Sequence, residues 1–404
     1  MNASKPEVVV ITGASAGIGR ATVQAFAKRG AHIGLVARSL DGLEGACREV
    51  EKLGGKALVL PTDVADPEQV EKAAAAVEEA FGSIDIWVNN AMASILSPFM
   101  EMNLDDFRRA TEVTYLGYVY GTMSALKRMK PRDRGTIVQV GSALAYRSIP
   151  LQSAYCGAKS AIRGFTDSLR CELIHDNSNV HITMVQMPAV NTPQFDWIKS
   201  NMSHKPQPVP PIFQPEVAAD AIVWAATHKR RELYVGGSSV EAILGTKVAP
   251  GILDHYLANS AYSGQQTNEP ADKDRGNNLW EPLPGDRGAH GRFDDRAQDS
   301  SMQLWATKNQ DWLTLAAGAG LACVAFGVYL GSHQSGQVVS NKEDKDDEIS
   351  ESEIRQAIGQ KLNQQMHRNS KPDNLQLLMG LARFGWDAFN KKPVKQEITE
   401  QLSS

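Results

Sequence analysis

The sequence predicts an α/β fold built on a doubly wound parallel sheet, and three observations carry that reading. Val8-Val-Val-Ile-Thr12 is a β-branched run, apolar on both sides, as a strand is when helices cover both faces of a parallel sheet. It passes through Gly13, Gly17 and Gly19 directly into a helical pattern over 20–29. Strand-like and helix-like segments then alternate as far as Val235, which is the rhythm of right-handed βαβ crossovers.

The elements follow in order. His32 to Ala37 reads as the second strand, Leu40 to Leu53 as a helix, Lys56 to Leu60 as the third strand. A helix with an Ala-rich body opens at Pro67, where the missing N–H of proline costs nothing. Ile84 to Asn89 is the fourth strand, Asp105 to Met129 one long helix, and Thr136 to Val140 the fifth strand. Ser153 to His175 reads as helix, Val180 to Met187 as the sixth strand, Pro215 to His228 as helix and Glu232 to Val235 as the last strand.

Two features bear chemistry. Glycines at a strand-to-helix junction let the backbone approach a pyrophosphate, while the helix N-terminus offers unpaired N–H groups to the anion. The spacing here is Gly-x-x-x-Gly-x-Gly, which departs from the general Gly-x-Gly-x-x-Gly dinucleotide fingerprint. Tyr155 and Lys159 stand four residues apart, on one face of a helix. A free Tyr, with a pKa of about 10, is a poor acid or base near neutrality, and a nearby ammonium favours its phenolate.

Thr12-Gly-Ala-Ser-Ala-Gly-Ile-Gly19, Asp63-Val64, Asn89-Asn-Ala91, Ser142 and Tyr155-x-x-x-Lys159 together resemble the classical short-chain dehydrogenase/reductase family, over roughly the first 240 residues. The resemblance implies a single Rossmann-type domain that uses NAD(H) or NADP(H), no metal, and dimers or tetramers. It implies that Tyr155 exchanges the proton with the substrate oxygen, that Ser142 holds that oxygen, and that Lys159 bridges the nicotinamide ribose and depresses the Tyr155 pKa. Gly13, Ser15, Gly17, Ile18 and Gly19 would cradle the cofactor, with Asp63 near the adenine and Asn90 lining the cofactor after the fourth strand. The proline-rich stretch 192–215, with Phe195, Trp197, Met202, Ile212 and Phe213, would cover the substrate side, and its apolar content suits a bulky or lipophilic substrate.

Three positions depart from the family pattern. Thr114 stands where many members carry an Asn that helps a proton relay with the Lys, and a hydroxyl donates one hydrogen bond where an amide donates two. Met92 replaces the usual Gly after Asn89-Asn-Ala91. In Met187-Pro-Ala-Val-Asn-Thr192 the Thr comes one residue early after Pro188; Val190 and Thr192 remain candidates for the nicotinamide carboxamide. Cofactor choice follows from charge. The second strand ends in Ala37 rather than an acidic residue, and Arg38 follows, so NADP(H) is preferred over NAD(H).

A catalytic unit over 1–250 leaves a long extension in a chain of 404 residues. Net charge is −4, without a basic concentration in the catalytic part, which argues against a nucleic-acid partner. Four cysteines, Cys47, Cys156, Cys171 and Cys323, lack paired or metal-like spacing and fit a reducing compartment. No apolar run precedes the first strand, so no secretory signal is expected. Residues 251–311 read as an irregular linker with Trp280 and Phe293 as aromatic anchors. Trp312 to Leu330 holds nineteen residues with no charge. As a helix it extends about 28 Å, close to the bilayer's hydrocarbon thickness. Segment 312–331 is therefore expected to anchor the protein in a membrane, with the catalytic unit facing the cytoplasm; a buried Ala- and Gly-rich helix is the alternative. Residues 332–404 form a polar tail in which 374–390 has the stripe of an amphipathic helix, for a membrane surface or a partner. The expected function is reduction of a ketone or aldehyde by NADPH, or oxidation of the alcohol in reverse. The alternative is a non-catalytic cofactor-binding scaffold at a membrane.

Overall fold

A computed structural model of the chain describes residues 5–272 and 274–312. Among these, seven parallel strands form the central sheet: β1 (Val8–Thr12), β2 (His32–Ala37), β3 (Lys56–Pro61), β4 (Ile86–Asn89), β5 (Thr136–Ser142), β6 (His181–Met187) and β7 (Glu232–Tyr234). Their spatial order is 3-2-1-4-5-6-7. The chain winds outward from β1 to β3, returns past β1 to β4, and continues to β7. That return leaves a crevice at the carboxyl ends of β1 and β4, the place where open α/β sheets bind ligands.

The helices are α1 (Gly17–Ala27), α2 (Leu40–Lys52), α3 (Pro67–Phe81), α4 (Leu104–Thr111), α5 (Gly117–Met129), α6 (Ser153–His175), the short α7 (Gln194–Trp197), α8 (Pro215–Thr227), α9 (Gly237–Val248), α10 (Pro250–Gly264) and α11 (Met302–Lys308). The period of two along β1 divides the core. Val9 and Ile11 join Ile33, Leu35, Phe26 and Ile222 on one face. Val8 and Val10 join Trp87, Ile137, Val77 and Met129 on the other. Each side chain of this kind, fully buried, contributes about 1.5–3 kcal/mol, so both faces are needed to hold the sheet. Gly34 completes the packing: a Cβ there would lie 2.4 Å from Val77 Cγ2, so α3 rests on bare strand backbone. The start of α3 is fixed by Asp66, whose carboxylate accepts from the Glu68 N–H at 2.9 Å just ahead of Pro67 at the first helical turn.

Two stretches depart from the sequence reading. The long helix expected over 105–129 is broken into α4 and α5 by a π-helical turn, Glu112–Leu116, which shifts the helix face in register at Thr114. The stretch 251–311 is more than the irregular linker expected. It opens with α10; Gln266–Pro270 then pairs antiparallel with His204–Pro206, and Ala297–Gln298 pairs with Ile212–Phe213. Leu279, Ala289 and Phe293 are buried, and Phe293 packs edge-on against Phe195 at 5.9 Å. Trp280 remains half exposed, its Nε1 donating to Asp106 at 2.8 Å. The expected membrane helix 312–331, apart from Trp312, and the tail 332–404 with its candidate helix 374–390 lie outside the described residues. Among the described residues no helix is long and apolar enough to cross a membrane.

Candidate active site

The strand ends bring the sequence candidates to one edge of the sheet. After β1 the chain turns at Gly13 and Gly17, with φ of 69° and 58°, a region glycine enters without a Cβ penalty. Gly19 serves a different purpose. A Cβ there would lie 2.1 Å from the Gly13 carbonyl oxygen and 2.6 Å from Asn90 Nδ2, so α1 can close on the turn only through bare backbone. Thr12 locks the turn to β4: its hydroxyl accepts from the N–H groups of Asn90 (2.9 Å) and Ala91 (3.0 Å). Asn90 Nδ2 donates to the Thr12 carbonyl at 2.9 Å, so this side chain props the glycine turn from below. No side chain caps α1; the Gly17 N–H donates to the Gly288 carbonyl at 3.0 Å, and the next first-turn N–H groups are those a helix N-terminus offers to an anion.

A cavity runs along this edge. Its lining includes Gly13, Ser15, Gly17 and Ile18 from the turn, Arg38, Asp63, Asn90 and Met92 from the next strand ends, and Thr192 from the loop after β6. Residues 278–287 supply the opposite wall. A tight glycine cradle, a helix N-terminus without a side-chain cap and a flanking Arg suit a dinucleotide phosphate. Val190 stands apart from this lining: it is buried in the apolar core and sits in a short strand beside Phe213. Thr192 packs on Gly17, its Cβ 3.2 Å from where a Gly17 Cβ would stand. Asp63 is bound by the Arg109 guanidinium and accepts from the Ala65 N–H at 3.0 Å.

Ser142, Tyr155 and Lys159 are not part of that lining; they stand at the carboxyl end of β5 and in α6. Ser142 Oγ accepts from the Leu144 N–H at 3.1 Å, which leaves its proton free to donate. Tyr155 is half-buried, and desolvation pushes its pKa up to about 12 against a smaller downward pull from the Ser142 hydroxyl. Lys159 is buried, and desolvation lowers it to about 7. Its Nζ donates to Val140 O at 2.6 Å and to the Tyr118 hydroxyl at 3.0 Å, and lies 5.6 Å from the Tyr155 ring centroid. The expectation that Lys159 depresses the Tyr155 pKa is therefore not met in this geometry. Burial weakens the ammonium and raises the phenol together.

Thr114 is also placed differently. Its hydroxyl donates to Ala93 O at 2.7 Å and accepts from the Ala93 N–H at 2.9 Å, so both its hydrogen-bonding roles are spent on the loop after β4. It clamps backbone, while the Lys159 ammonium donates to Val140 O and the Tyr118 hydroxyl instead. The residue that reaches Lys159 is Tyr118, fully buried, its own hydroxyl donating to Val140 O at 2.9 Å. Sequence reasoning missed Tyr118, although it lies four residues beyond Thr114 on the same helical stretch.

A glycine cradle at the switch point of a parallel sheet, with a Ser, a Tyr and a Lys gathered past its fifth strand, defines a nucleotide-dependent oxidoreductase of the Rossmann class. The chain belongs to the short-chain dehydrogenase/reductase family. The family model described as short chain dehydrogenase matches residues 7–202. An uncharacterised oxidoreductase of Bacillus subtilis (strain 168) is 31% identical over 290 residues, covering 71% of this chain and 82% of the relative. A fatty acyl-CoA reductase of Acinetobacter baylyi is 31% identical over 231 residues, 57% of this chain and 76% of that protein. Among solved structures, an alcohol dehydrogenase from the archaeon Thermococcus sibiricus, complexed with 5-hydroxy-NADP, superposes with a TM-score of 0.50 at 27% identity, covering 57% of this chain and 95% of that one.

Proposed function

We propose that this protein is an NADPH-dependent reductase of a ketone or aldehyde group carried on a lipophilic molecule. The observation that carries the reading is that the glycine turn after β1 and Ser142 at the end of β5 lie at the carboxyl ends of one parallel sheet, with Tyr155 of α6 beside Ser142 and Lys159 one turn further on. NADPH, when bound, supplies a hydride to the carbonyl carbon. Ser142 donates a hydrogen bond to the carbonyl oxygen and so favours the charge that develops on it. Tyr155, with a pKa held near 12, is protonated at neutral pH and gives its proton to that oxygen. Such a phenol suits the reductive direction better than the oxidative one, which needs it as a base. Lys159, tied to Val140 O and the Tyr118 hydroxyl with its Nζ 5.6 Å from the Tyr155 ring centroid, would hold the nicotinamide ribose when the cofactor is bound.

NADPH is favoured over NADH because β2 ends without a carboxylate and Arg38 lines the cavity beside Ser39. The neighbouring archaeal structure holds an NADP derivative, which agrees with this preference. A lipophilic substrate is supported by the apolar residues of 192–215 and by a relative named for a fatty acyl-CoA. The uncharged run Trp312 to Leu330 supports a membrane tether with the catalytic unit on the cytoplasmic side.

The test uses the purified full chain with NADPH and a panel of ketones and aldehydes, short-chain and long-chain, following NADPH consumption. Long-chain carbonyls are expected to be reduced. NADPH binding without consumption across the panel would instead establish a scaffold. Arg38→Asp is expected to lower the NADPH-over-NADH preference about tenfold or more, since it replaces a positive charge on the cavity wall by a negative one that repels the ribose phosphate. An unchanged preference would remove the argument from Arg38.

A further inference from the structure

Residues 276–293 run along the whole cavity like a strap. At one end, Arg38 donates to the carbonyls of Trp280 (2.6 Å) and Leu279 (3.3 Å), and also to that of Asn278. Arg109, which holds Asp63, donates to Leu279 O at 3.3 Å and stacks on Trp280. In the middle, Asp286 pairs with the buried Arg20 at 3.1 Å, and the Gly285 N–H donates to Asp41 Oδ2 at 2.6 Å. The Gly288 carbonyl accepts from the Gly17 N–H at 3.0 Å, at the very start of α1. At the far end the Phe293 N–H donates to Asn191 Oδ1 at 3.0 Å, and Gly291 passes so close to Thr192 that a Cβ would lie 2.4 Å from its carbonyl oxygen. The strap thus touches, in order, the positions expected to meet the adenosine, the phosphates and the nicotinamide.

Resting on the NADPH reading above, we propose that the strap is the outer wall of the cofactor site and that Arg287 binds the pyrophosphate of the dinucleotide. Arg287 lines the cavity, adjoins Gly288 at the α1 N-terminus, and its guanidinium donates among the described residues only to the Pro284 carbonyl. The other strap charges beside the turn are engaged: Asp286 with Arg20, and Arg292 with Asp196 and Pro206 O. The Gly288 carbonyl takes one N–H that the helix would otherwise offer an anion, and a guanidinium one residue away supplies the positive charge in its place. Arg38, with three donor contacts to strap carbonyls, anchors this wall across the adenosine end.

The test is equilibrium binding of NADPH and of NADH to the full chain, read by quenching of tryptophan fluorescence, for wild type and Arg287→Ala. Arg287 is exposed, so the variant is expected to fold, and an unchanged melting temperature without cofactor checks this. The dissociation constants for both cofactors are expected to rise by about tenfold, a typical loss for a charge-assisted hydrogen bond, with partial recovery in Arg287→Lys. Equal affinity in wild type and Arg287→Ala overturns the inference and leaves the reductase reading untouched. A loss confined to NADPH also overturns it, because it places the contact on the ribose phosphate. A wild-type chain that binds neither cofactor removes the reductase reading itself.

Discussion

Burial holds Lys159 and Tyr155 in opposed states: one is a cation that desolvation tries to neutralise, the other a phenol that desolvation keeps protonated. The consequence for stability follows from the folded pKa of Lys159, about 7 against an ordinary value of 10.5. Between those values the unfolded chain carries a proton at this site and the folded chain does not, so stability rises with pH from about 7 upward. Below pH 7 both states are charged and the full cost of the buried ammonium is present. Lys159→Met is therefore expected to be inactive yet more stable than wild type at pH 6, by roughly 1–4 kcal/mol, with the gap closing as pH approaches 10. Thermal melts at several pH values check this; a variant less stable at pH 6, or a gap independent of pH, contradicts it. Tyr155 and Lys159 were legible as candidates from their spacing of four, and Ser142 only through the family resemblance of the motifs taken together. Tyr118 was not, since its role depends on which side of α5 faces Val140, and a π turn just upstream decides that.

The elements were legible wherever periodicity is regular. The apolar runs of β1, β2 and β6 and the proline that opens α3 mark their own boundaries, because burial on both faces and a residue without an N–H leave local signatures. The break between α4 and α5 left none: Glu112-Val-Thr-Tyr-Leu116 lacks Pro or Gly, and the turn places Thr114 in hydrogen bonds with the distant Ala93 backbone, a pairing no local pattern records. The glycine turn carries the sharpest element-scale expectation. Gly19→Ala adds a better helix former but drives a methyl onto the Gly13 carbonyl and Asn90, so packing outweighs propensity. A loss of about 1–3 kcal/mol is expected, together with weaker dinucleotide binding as α1 is pushed off the turn. Denaturant unfolding and cofactor titration measure the two effects, and a variant of wild-type stability and affinity would show that the turn has room to spare.

At the scale of the molecule, the sheet edge and the strap were unequally readable. Convergence of Gly13, Arg38, Asp63, Asn90 and Ser142 follows from parallel strands all ending on one side, which the alternation of elements implies. The strap has no periodicity; what orders it is contact with residues some 240 positions away, such as Arg38 with Trp280 and Asp41 with Gly285, and no local pattern records such pairs. The site of this family member is thus assembled from its sheet edge and from a segment beyond the expected catalytic boundary at residue 250. At its centre, Tyr155 is proposed to donate the proton while the bound cofactor reduces the carbonyl. The direct measurement is single-turnover reduction of an accepted carbonyl by Tyr155→Phe saturated with NADPH, alongside its NADPH affinity. The rate is expected to fall at least about a hundredfold while the affinity is nearly unchanged; a variant that reduces the carbonyl at the wild-type rate contradicts proton donation by Tyr155.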